Sequence, residues 1–216
     1  MSHGAADQPK PLPHFASHFS QTVLALLFGL TLRAALEAGA ASLLVHPDWP
    51  AMWQAMQEDP KKYWFGTLQL TAFVLTLCRF YAGAYRFHQS QPPHTTLASL
   101  LFDAVWTLFL FVSFYIAALL VATRGLFLLA ITLIHAIDFG WFLLGAVIAK
   151  APPHIQKVLS LYLLFDVLTV LFASLAWGAF SAWHFDSIHF QWISAAILLG
   201  MFAIDMLWLT RDWYFK

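Results

Sequence analysis

Apolar and polar positions in this chain alternate in blocks rather than residue by residue. Six long apolar blocks, roughly 19–45, 63–87, 97–121, 126–149, 158–182 and 190–211, are separated by short polar stretches. The separators carry breaker residues: "HPDWP" at 46–50, "QSQPPH" at 89–94, "TRG" at 123–125, "APPH" at 151–154 and "HFDSIH" at 184–189. About 20 mostly apolar residues cross the hydrocarbon core of a bilayer, and each block reaches that length. Backbone groups in hydrocarbon must satisfy one another, so only helices or closed barrels span it. The alternation of a barrel strand is missing. The pattern predicts an all-α membrane protein of six transmembrane helices. It has a cytoplasmic tail at 1–18, a membrane domain at 19–211 and a cytoplasmic end at 212–216.

The first block also resembles a signal peptide, because Ala38-Gly39-Ala40 offers a small-x-small cleavage site. Arg33 and Glu37 interrupt its apolar part, and only Lys10 precedes it as a positive charge, so it reads as a retained first helix. Orientation follows lysine and arginine. With the N-terminus inside, Lys10, Arg86, Lys150, Lys157, Arg211 and Lys216 face the cytoplasm; Lys61, Lys62 and Arg124 face outward. That bias predicts N-in and C-in. The outer stretch 46–62 reads as a connecting loop with interfacial tryptophans. The alternative is a short amphipathic helix lying on the membrane surface, carried by "DWPAMWQAMQ".

Composition agrees with the blocks. The chain of 216 residues is 61% hydrophobic and 10% charged, where a soluble domain carries about 25% charge. The 21 Phe and 10 Trp supply lipid-facing surface and interfacial belts. A formal net charge of zero argues against a nucleic-acid partner. The expected partners are the lipid bilayer, in a bacterial inner membrane, and further copies of the same chain. A single cysteine, Cys78, excludes an intramolecular disulfide.

The polar residues inside the blocks change the picture most. "LLFDAVWTLF" at 100–109 and "LLFDVLTVLF" at 163–172 share one pattern around Asp103 and Asp166. "AIDFGW" at 136–141 and "AIDMLW" at 203–208 share another around Asp138 and Asp205. The third and fourth helices therefore match the fifth and sixth in order and direction, as in a parallel repeat. The rise of a helix puts Arg79 and the four aspartates about 9–16 Å from the cytoplasmic ends. A charge at the helix centre is costly in lipid. These groups should therefore face a shared interior, pair with one another, or be neutral.

Arg79 is the natural counter-ion for Asp103, Asp166 or Asp205; a structural salt bridge, an ion or substrate site, or contact with lipid headgroups accounts for it. Arg33 and Glu37, spaced i, i+4, can pair within one helix. His135 and Asp138, spaced i, i+3, share a face of the fourth helix. There a carboxylate beside an imidazole can relay protons or orient a metal-bound histidine. Trp106, Trp141 and Trp208 each follow an aspartate by three residues; aromatic packing is favoured over an indole-to-carboxylate hydrogen bond.

No GxSxG, HExxH, histidine box or phosphate-binding glycine loop occurs. No pattern in the sequence designates a catalytic residue, a cofactor or a metal. The leading expectation is transport or conduction of a proton, cation or cationic solute through an acidic bundle made of Arg79, Asp103, His135, Asp138, Asp166, Asp205, Arg33 and Glu37. One alternative is a non-catalytic assembly or effector protein whose buried charges clasp helices. Another is a membrane-embedded lipid-modifying enzyme that uses Asp and His as acid and base.

Overall fold

The computed structural model describes residues 15–43, 48–90, 97–121, 124–148, 160–161, 163–172, 174–175, 178 and 187–209. Among them the chain is all-helical, with seven helices and no strand. They are α1 (Phe15–Leu43), α2 (Trp49–Glu58), α3 (Pro60–Ser90), α4 (Leu97–Leu119), α5 (Arg124–Ile148), α6 (Leu163–Phe172) and α7 (Ser187–Ile204). A π-helical turn, Asp205–Leu209, ends α7. Most of the tail at 1–18, the end at 212–216 and the connections at 91–94 and 151–154 lie outside the described residues, while Gln89 and Ser90 of the second separator belong to α3.

Stretch 46–62 corrects the loop reading. Its described part is helical: α2 runs from Trp49 to Glu58, and α3 starts at Pro60. "DWP" starts a helix here rather than breaking one. Asp48 is the N-cap, and its Oδ1 accepts the Ala51 N–H at 2.8 Å. Pro50 sits in the first turn, where a missing N–H costs nothing. Pro60 opens α3 for the same reason. No residue of α2 is buried, and Trp49 and Trp53 stack at 6.3 Å between ring centroids.

Two helices, Gln21–Ala41 and Tyr63–Arg86, are long and apolar enough to cross a membrane by length and composition. The apolar stretches of the other helices are shorter within the described residues: Ala104–Leu119, Leu126–Trp141, Leu163–Phe172 and Ala195–Leu207.

Helix α3 is the hub. It packs against α1 and α7, while α1 also meets α4, α4 meets α5, and α5 touches α7. Small residues allow the close approach of α1 and α3. A Cβ on Gly39 would lie 2.7 Å from Leu70 Cδ2, so Gly39 of the would-be cleavage site instead seats a leucine of α3. The centre is aromatic: Phe73 packs on Phe114 at 6.2 Å and on Phe127 at 5.8 Å, and Phe80 on Phe114 at 4.8 Å. A tight turn at Leu120 and Val121 closes α4 before α5 begins.

Candidate functional site

Helical periodicity places the polar groups of the interior. On α5 the buried positions are Phe127, Leu128, Ile131, Ile134, His135 and Asp138, one stripe of i, i+3, i+4 and i+7 steps. His135 and Asp138 are its last members. On α7 the stripe Ala195, Leu198, Met201 ends at Asp205. Phe165, Asp166 and Thr169 form the buried face of α6, and Arg79 shares the buried side of α3 with Thr76 and Phe80. Four helices thus bring ionisable groups onto the side that also carries the apolar core.

These groups are nearly sealed from the exterior: Arg79 is 3% exposed, His135 1%, Asp138 5%, Asp166 0% and Asp205 1%. Arg79 Nε donates to Asp205 Oδ2, an ion pair between α3 and the start of the π turn. The Arg79 guanidinium carbon lies 3.8 Å from the centroid of Phe165 and 5.0 Å from that of Phe80. Contacts of this kind are worth about 2 kcal/mol when desolvated. His135 Nδ1 lies 2.8 Å from Asp166 Oδ1. With Asp166 as the acceptor, Nδ1 carries the proton. Phe80 and Phe165 flank the imidazole at 5.2 and 6.0 Å.

The partner of His135 is therefore Asp166, on another helix, rather than Asp138 on its own. Asp138 instead meets the carboxyl group of Asp166. Asp166 Oδ2 nevertheless finds no hydrogen-bond donor among the described residues, as expected for two bare carboxylates, which are both acceptors.

Not every expected residue joins this network. Arg33 Nε and Glu37 Oε1 do pair, at 2.7 Å, but on the outer face of α1, with side chains 75% and 63% exposed. They stand apart from the buried groups. Asp103 belongs to α4, and its side chain lies outside the described residues, as does that of Trp208. The Trp106 ring stacks on Phe102 at 5.9 Å, and its Nε1 has no hydrogen-bond partner among the described residues. The described contact is aromatic packing; the Asp103 carboxyl, the expected acceptor, lies outside the described residues.

Sequence reasoning missed Gln69. Its side chain is buried, and neither amide atom has a partner among the described residues. A lone glutamine in the apolar block of α3 was the available signal. Among the described residues no group of three or more His, Cys, Asp or Glu converges as a metal site.

The chain matches no protein-family model, no curated protein and no solved structure. The chemistry of the site therefore rests on its own geometry. A groove of about 350 Å³ between α5 and α6 lies beside the network in sequence, and none of the network's residues lines it. Ala136, Phe139, Val167, Val170, Leu171 and Ser174 line it, a nearly apolar wall. The polar groups themselves are a compact chain of hydrogen-bonding and ionic contacts across α3, α5, α6 and α7, suited to exchanging protons.

Proposed function

We propose that this is a multi-pass membrane protein that transports or conducts protons through the network of Arg79, His135, Asp138, Asp166 and Asp205. Membrane insertion is supported by an inside-out distribution of polarity. Large apolar side chains are exposed along α4 (Leu101, Val105, Leu108, Val112, Tyr115 and Leu119), while Arg79, His135, Asp138, Asp166 and Asp205 are buried. Exposed apolar surface of that extent marks contact with a membrane or a partner. Helices α4 and α5, at 23 and 25 residues, also have the length to cross. They extend about 35 Å at 1.5 Å per residue. In this setting α2 lies at the interface with Trp49 and Trp53, where indole rings are enriched. The inner-membrane location and the N-in, C-in orientation rest on the lysine and arginine bias.

One observation carries the choice of proton over larger cargo. His135 is hydrogen-bonded to Asp166, which is itself beside Asp138, and all three are sealed from the exterior. Imidazole and carboxyl groups in contact exchange protons without needing space for a hydrated ion. Asp166→Asn tests the reading in liposomes that contain the purified protein and a pH-sensitive dye. Flux should fall to the level of protein-free liposomes while the variant inserts as well as the wild type. Wild-type flux in the variant would reject it.

A second reading, in which the buried charges clasp helices in an assembly protein, draws on the Arg79–Asp205 pair. That pair joins α3 to the end of α7. In that case flux is absent from the wild type, and Arg79→Ala disperses the fold or the oligomer.

A further inference from the structure

The buried network contains three carboxyl groups, one guanidinium and one imidazole among the described residues. Arg79 and Asp205 cancel each other as a pair. The remaining groups are Asp138, Asp166 and His135. If His135 is doubly protonated, it balances one carboxylate and leaves the other unmatched. If His135 is neutral, two carboxylates are unmatched. Uncompensated charge in an apolar interior is strongly disfavoured, and two adjacent carboxylates repel each other besides.

Hydrogen-bonding capacity leads to the same place independently. Asp166 Oδ1 is satisfied by His135 Nδ1 at 2.8 Å, whereas Asp166 Oδ2 has no donor among the described residues. The Asp138 carboxyl is within hydrogen-bonding reach of the Asp166 carboxyl, and it can donate only if it holds a proton. We propose that Asp138 and Asp166 form a proton-binding site in which Asp138 holds the proton and donates it to Asp166 Oδ2.

With His135 doubly protonated, one proton removes both the excess charge and the unpaired oxygen; with His135 neutral, it removes one of the two unmatched charges and still supplies the missing donor. The groups around it are Arg79 from α3, His135 from α5 and Asp205 from the end of α7. Asp166 then accepts on both oxygens, from His135 on one side and from Asp138 on the other. The site deepens the transport reading and rests on it for its role as the place where the carried proton resides. The pairing itself rests on burial and on the hydrogen-bonding capacity of the two carboxyl groups, not on the transport reading.

Infrared spectroscopy of the purified full-length protein in lipid nanodiscs tests the site. An undissociated carboxylic acid has a carbonyl stretch separated from that of carboxylates, and the band shifts in D2O. At neutral pH the wild type should show this band, and Asp138→Asn should lose it. The asparagine amide can donate to Asp166 Oδ2 in place of the proton, so the variant should remain folded. A spectrum in which Asp138→Asn leaves the acid band unchanged overturns the site. If that variant fails to accumulate, Asp166→Asn gives the second reading. It removes the anionic acceptor, so the Asp138 carbonyl stretch must move, and an unmoved band overturns the proposal. Flux separates the two levels. Loss of the band with undiminished flux in Asp138→Asn supports the proton site and removes its part in transport. Loss of flux with an unchanged band does the opposite.

Discussion

Arg79 and Asp205, 126 positions apart in the chain, form a buried ion pair between α3 and the π-helical turn that ends α7. Neither side chain exceeds 3% exposure, so removing one leaves the other's charge buried without that partner. Breaking such a pair from one side costs about 3–5 kcal/mol, whereas replacing both partners by apolar residues is often neutral. Arg79→Met should therefore lower the thermal unfolding midpoint in detergent sharply. Arg79→Met combined with Asp205→Leu should recover most of the loss. A double variant as unstable as the sum of the singles would show that the two groups are held by different partners.

Phe165 carries the face of its ring to the same guanidinium, 3.8 Å from centroid to carbon. Phe165→Leu keeps an apolar side chain but loses that ring. A double-mutant cycle with Arg79→Met should return a coupling of about 1–2 kcal/mol, read from denaturation midpoints. A coupling near zero would mean that Phe165 only fills space.

Gly39 and Leu70 set the spacing between α1 and α3. The nearest atom to an added Cβ is the end of a flexible leucine, and alanine is the better helix former. Gly39→Ala should therefore be nearly neutral. Gly39→Leu cannot be absorbed by moving one methyl group and should cost about 1–3 kcal/mol as an overpacked contact. Melting curves of both variants in detergent make the comparison.

Gln69 is buried with both amide atoms unpaired among the described residues. An unmet amide costs about 1–3 kcal/mol in a protein interior. Gln69→Leu, of similar volume, should raise the unfolding midpoint. A fall would reveal that the amide holds a water or a polar group.

Several features were legible in the sequence because they depend on neighbours within one helix. Arg33 and Glu37 pair at the i, i+4 spacing that a helix imposes. His135, Asp138 and Asp205 fall on the buried stripes that helical spacing defines. Other features were misread for equally local reasons. "DWP" looked like a break, yet an N-cap carboxylate followed by proline is what a helix start requires. His135 and Asp138 share a face, but sharing a face does not decide which group the imidazole meets across the gap. The repeat likewise made Asp138 and Asp205 equivalents, and their partners differ: Asp166 for one, Arg79 for the other.

The sequence by itself determined an all-helical chain, because that follows from the length and composition of its apolar blocks. It also designated Arg79, Asp103, His135, Asp138, Asp166 and Asp205, with Arg33 and Glu37, as polar groups costly to leave alone in apolar surroundings; Arg33 and Glu37 instead pair on the outer face of α1. Only the tertiary structure decided how they meet: Arg79 with Asp205, His135 with Asp166, and Asp138 beside the carboxyl group of Asp166. Those pairings depend on the rotation and depth at which separate helices dock. Side-chain packing between helices sets both, and no spacing along the chain records them.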